Sequence, residues 1–107
     1  MAEPLIDESV LQGLADALDD REIVRGIVAV YLNELDARIE SIAAAPPAER
    51  AKAAHALKSP SLTLGVVAMH EPSHRIEQSP DDEAVLQKEL SALRASRAAV
   101  VTALTRW

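Results

Sequence analysis

Residues 20–44, DREIVRGIVAVYLNELDARIESIAA, decide the fold. Within them Ile23, Ile27, Tyr31, Leu35, Ile39 and Ile42 recur at steps of three or four. That interval returns to one face of an α-helix. Arg21, Arg25, Glu34, Arg38 and Glu40 fill the other side. The pattern predicts an amphipathic helix of about six or seven turns. Asp19 or Asp20 stands ready to cap its start.

Outward from this helix the punctuation is clear. Upstream, Val10, Leu11, Leu14 and Leu18 follow the acidic DES of residues 7–9 and predict a short helix ending near LDD. Downstream, APPAE breaks the long helix, because proline lacks a donor and biases the preceding residue away from helical geometry. Pro47 suits the first turn of the alanine-rich helix that follows, and Gly65 marks that helix's end. A fourth segment, VVAMHEPSHRIEQ, carries Pro72 inside it. SPDDEA, with Ser79 or Asp81 as cap, opens a last helix through Leu86, Leu90, Leu93, Val100 or Val101, and Leu104.

Four substantial helices with short connections predict an all-α fold: an antiparallel four-helix bundle, with the short N-terminal helix across one end. Tyr31 is expected to face the core with its hydroxyl at the bundle edge, and Trp107 to cover the bundle end. Residues 1–107 are read as one domain with a modest core.

The chain carries a net charge of −6, no cysteine and no run of basic residues interleaved with aromatics. An acidic surface argues against nucleic acid as partner. The missing cysteines exclude disulfides and thiolate chemistry and fit a cytoplasmic protein. MAEPLIDESV has early acids and no apolar run, so no signal peptide is expected. No segment approaches the roughly 18 apolar residues of a membrane span.

Three histidines are the candidates for chemistry. His70-Glu71-Pro72-Ser73-His74 matches the H-E-x-x-H pattern of zinc hydrolases. Pro72 lies between its two histidines, no third ligand is marked beyond Glu77 or Glu89, and a small bundle leaves little room for a substrate cleft. Two boundary histidines on a polar face are the better reading, and no metal site is assigned.

His55 differs. At about 100° per residue, Ala54, Leu57, Ser61 and Leu64 cluster on one side of the third helix, and His55 lies roughly 150° from the centre of that cluster. The imidazole therefore faces solvent. Lys52 and Lys58 stand three residues to either side, and Ser59 offers a hydroxyl one turn on. An imidazole that is nucleophilic near neutral pH, beside ammonium groups, is a seat for a phosphoryl group.

AHALKSPSLTLG, residues 54–65, resembles the signature of histidine-containing phosphotransfer (HPt) domains: His-x-x-Lys, small residues, then a hydrophobic-Gly pair. Here these are His55, Lys58, Ser59, Ser61, Leu64 and Gly65. LIDESVLQGLADAL and DDREIVRGIVAVYLNEL are similar to the family's opening, and Ile76-Glu77 matches its hydrophobic-Glu pair. The resemblance covers essentially the whole chain.

It implies a cytoplasmic, monomeric phosphocarrier of a two-component phosphorelay. His55 would accept a phosphoryl group on Nε2 from the aspartate of one response-regulator receiver domain and pass it to another, and a hybrid histidine kinase could also be a partner. Lys58 would stabilise the phosphate. The receiver would dock over Ala48, Lys52, His55, Ser59 and Leu62, a face of small apolar and polar residues suited to transient binding. The chain itself would need no cofactor, since the receiver brings Mg²⁺; without a Gly-rich phosphate loop it should not use ATP by itself.

Two features depart from the family pattern. Ser59 replaces the usual glycine after the lysine. Pro60 and Pro72 predict kinks or breaks in the third and fourth helices, with Pro60 leaving the Ala56 carbonyl without its helical partner. These departures keep open an alternative, a bundle that binds a receiver or kinase without carrying phosphate.

Overall fold

The computed structural model describes residues 5–107, which form five helices and, among the described residues, no strand. They are α1 (Glu8–Leu18), α2 (Arg21–Ala44), α3 (Pro47–Thr63), α4 (Val67–Gln78) and α5 (Glu83–Arg106). Local chemistry explains most of their ends. Asp7 caps α1 by accepting from the Ser9 amide, and Asp20 caps α2 by accepting from the amides of Glu22 and Ile23. Asp19, in the left-handed region at φ 52°, lets the chain turn between them. Pro47 opens α3 at its first turn. The cap of α5 is Asp82, which accepts from the Val85 amide, in place of the expected Ser79 or Asp81. The Ser79 carbonyl instead accepts from the Asp82 amide in the preceding turn, which moves the helix start one residue on.

Helix α3 packs against α2 and α4, and α5 closes the ring by packing against α4 and α2. Connections of two to four residues return each helix antiparallel to the last, giving the four-helix bundle. The core gathers residues from all five helices, among them Leu11, Val24, Leu35, Ile42, Leu57, Met69, Ile76, Leu93 and Val100. Fully burying each such side chain contributes about 1.5–3 kcal/mol.

The phase of α2 differs from expectation in its first two turns. Ile23 and Ile27 are 50% and 39% exposed, while Val24 and Val28 are buried. From Tyr31 onward the expected stripe through Leu35, Ile39 and Ile42 is buried. Residues 23–32 carry two adjoining apolar stripes, and only the one turned toward the neighbouring helices is covered. For the same reason Ala15 rather than Leu18 closes the inner face of α1, leaving Leu18 43% exposed.

At the end of the bundle near α1, Gly65 turns the chain from α3 into α4 at φ +70°. Its carbonyl accepts from the Asp7 amide at 2.7 Å, and the Leu5 carbonyl accepts from the Ala68 amide. Trp107 is buried in the core cluster at the same end, with the Arg21 guanidinium 3.9 Å above its ring. At the other end, the buried Arg50 donates to the carbonyls of Pro80 (2.7 Å) and Ala45 (3.3 Å) and to Glu83 (2.9 Å). It thereby ties the α2–α3 connection to the α4–α5 connection.

Of the kinks or breaks expected at Pro60 and Pro72, the breaks do not occur: α3 and α4 run through both. Pro72 is buried, filling a core position. Pro60 is accommodated by a side chain from another helix: Arg38 Nη1 donates to the Ala56 carbonyl at 2.8 Å. Tyr31 is buried as expected, but its hydroxyl meets Ser61 Oγ at 2.7 Å inside the bundle rather than reaching the edge. Ser61 Oγ donates to the Leu57 carbonyl at 2.7 Å, so the tyrosine hydroxyl is the donor of the pair. Burial pushes the Tyr31 hydroxyl up to about 12 and keeps it protonated.

Candidate functional site at His55

The third helix buries Ala54, Leu57, Ser61 and Leu64, and this sets the direction of everything else on it. With that face turned inward, Ala48, Lys52, His55, Ser59 and Leu62 form an exposed stripe along the opposite side. His55 is its centre, with 60% of its side chain accessible.

The structure brings His55 and Lys58 together through a third residue. His55 Nδ1 lies 2.6 Å from Glu77 Oε2, and the Lys58 ammonium bonds Glu77 Oε1. Glu77 and Lys58 are mostly covered, at 18% and 16% accessibility, while the imidazole stands out from them. Glu77 reaches this position because Ile76, its neighbour on α4, is fully buried and turns the next residue toward α3. The Lys58 bond, and after it the His55 bond, hold the Glu77 carboxyl below its ordinary range, against the opposing effect of partial burial.

An ionised carboxylate only accepts, so the 2.6 Å contact requires Nδ1 to carry the proton. In the neutral imidazole Nε2 then holds the lone pair, on the side of the ring away from the carboxylate. The sequence reading leaves Glu77 out of the site; its signal was the Ile76-Glu77 pair, but twenty-two residues separate Glu77 from His55.

The remaining expected residues frame the site, and among the described residues none of them hydrogen-bonds the imidazole. Lys52 is exposed, with no carboxylate partner among the described residues. Ser59 is exposed, and its carbonyl accepts from Thr63 Oγ1 at 3.2 Å. Ala48 and Leu62 lie at either end of the stripe, Leu62 half-exposed.

Two grooves flank the stripe. One, of about 540 Å³, lies between α3 and α4 and is lined by Lys58, Leu62, His70, Glu71, His74 and Arg75. The other, of about 320 Å³, lies on the α2 side, with Ile27, Val30, Pro60 and Thr63 among its walls.

His70 and His74 lie one turn apart on α4, which continues as one helix through Pro72. Glu77 is engaged by Lys58 and His55, and the buried Glu89 by Arg75 at 3.2 Å. Among the described residues no three His, Asp or Glu side chains gather as a metal site, and no helix is long and apolar enough to cross a membrane.

No curated protein and no solved structure matches the chain at a significant level. The family model described as the Hpt domain does match, over residues 26–99. That span begins within α2, ends within α5 and takes in His55, Lys58 and Glu77. The match covers more than half of the chain, and the all-α bundle described above is the fold typical of that family. The chain therefore belongs to the Hpt domain family, the histidine phosphotransfer domains of two-component phosphorelays.

Proposed function

We propose that the protein is a phosphocarrier in which His55 Nε2 takes a phosphoryl group from a receiver-domain aspartate and returns it to another. The observation that carries this reading is the Nδ1 contact with Glu77, which in the neutral imidazole puts the lone pair on Nε2 of an exposed side chain. In the forward step the Nε2 lone pair attacks phosphorus, an N–P bond forms, and the P–O bond to the aspartyl carboxylate breaks. The carboxylate leaves with that electron pair. No proton need move, because Nδ1 keeps its own.

As the N–P bond forms, the ring gains positive charge, and the anionic Glu77 at Nδ1 stabilises it. Lys58 offsets the carboxylate's charge and has further N–H donors for the phosphoryl oxygens. The receiver would supply Mg²⁺. Its docking face would be the stripe of Ala48, Lys52, His55, Ser59 and Leu62. An unbroken α3 at Pro60 supports the carrier over a module that only docks.

The test is transfer from a panel of phosphorylated receiver domains to the wild type and to His55→Ala. Acid-labile label on the wild type, absent from His55→Ala, is expected. Receivers that bind but transfer nothing, or label that persists in His55→Ala, would overturn the assignment.

A further inference from the structure

We infer that Arg38 is a positioning residue for His55, acting through the one backbone carbonyl that Pro60 leaves without a helical partner. The inference rests on the reading of His55 as the phosphoryl acceptor.

In an α-helix the amide of residue 60 would donate to the carbonyl of residue 56, and proline has no amide hydrogen to give. Its ring also crowds that carbonyl, so the usual result is a bend with the carbonyl tipped outward. Helix α3 nevertheless continues to Thr63. Arg38, on α2, supplies the missing donor: Nη1 lies 2.8 Å from the Ala56 oxygen. The guanidinium is itself held, since Nη2 contacts Glu34 Oε2 at 2.5 Å, one turn earlier on α2.

Position makes this more than a repair. Ala56 directly follows His55, and Lys58 lies between Ala56 and Pro60, so the turn lacking a backbone bond is the turn that presents both site residues. That turn is gripped from two sides. On α4, Glu77 holds the side chains of His55 and Lys58. On α2, Arg38 holds the backbone beneath them. Without the α2 grip, the turn bends at Pro60 and His55 shifts against Glu77, loosening the bond that keeps the proton on Nδ1. Because Ala56 is exposed, water solvates its carbonyl when the guanidinium is removed, so the bundle stays folded while the imidazole loses its fixed position.

The experiment reads the ring nitrogens of His55 by ¹⁵N NMR in the unphosphorylated protein, with transfer rates measured in parallel. The wild type should show the Nδ1–H form. Arg38→Ala should show a mixture of both tautomers and transfer about ten- to a hundredfold more slowly. Adding Pro60→Ala to Arg38→Ala should restore the single tautomer and the rate, because the new amide donates to the Ala56 carbonyl.

A wild-type tautomer in Arg38→Ala overturns the inference whatever the rate. Equally, a double variant as impaired as Arg38→Ala overturns it, because Arg38 would then act by some route other than this carbonyl. If the wild type carries no phosphoryl group but the tautomers follow the expected pattern, the proposed function fails and the positioning role stands.

Discussion

At the scale of single residues, Glu77 links His55 and Lys58 from a mostly covered position. It fixes the histidine tautomer and balances Lys58, and it does so as an anion. Glu77→Ala removes both the acceptor and the charge and should slow transfer by about 10- to 100-fold, the worth of a charged hydrogen bond. Glu77→Gln, which can still accept from Nδ1–H, should lose less. The carboxyl is held below its ordinary value of 4.5. A depressed folded value means that Glu77 contributes stability above 4.5 and loses it as pH falls through the folded value. Urea unfolding of the wild type and Glu77→Gln should therefore show a stability gap that is full at neutral pH and narrows below 4.5. A gap that stays constant on acidification would contradict the assigned ion pair.

At the scale of elements, the α3–α4 turn depends on one glycine for two separate reasons. Gly65 has φ +70°, where an L side chain costs about 1–2 kcal/mol. A Cβ there would also stand 2.7 Å from Val10 Cβ and 2.8 Å from the Asp7 carbonyl oxygen, and the latter is backbone that cannot swing aside. Gly65→Ala should therefore destabilise by about 2–4 kcal/mol, more than the conformational penalty alone. A loss under about 1 kcal/mol in denaturant titration would show that α1 can withdraw from the turn at little cost. The prolines teach the converse lesson about elements. A residue that breaks helices in isolation is carried by α3 because a neighbouring helix supplies its missing hydrogen bond.

At the scale of the whole molecule, the two ends of the bundle are held by different chemistry. The α1 end is closed by apolar packing around Leu11 and Trp107, and the other end by the polar clamp of Arg50. Arg50 is 5% exposed and holds two loop carbonyls and Glu83 across the bundle end. Its Nε has no hydrogen-bond partner among the described residues, a cost the clamp must outweigh. Arg50→Ala should cost about 2–4 kcal/mol, because two carbonyls and a carboxylate lose their donor. Arg50→Lys should recover little, since one ammonium cannot span the planar fork's partners. Thermal unfolding of the three proteins checks both statements, and a Lys variant as stable as the wild type would show that charge alone suffices.

The helices, their approximate ends and the outward direction of His55 were legible in the sequence, because caps, prolines and the inward cluster of α3 act within a turn or two of themselves. The Hpt resemblance was legible for the same reason, since the run from His55 to Gly65 is contiguous. Three things were decided only by tertiary structure. Which of two apolar stripes on α2 is buried depends on the helices it meets, and its own period could not choose between Ile23 and Val24. The coupling of Glu77 to His55 and Lys58 depends on how α4 is rotated against α3. The repair of Pro60 by Arg38 joins residues eighteen apart on different helices. Each is a contact between elements, and local periodicity carries no record of what will stand opposite.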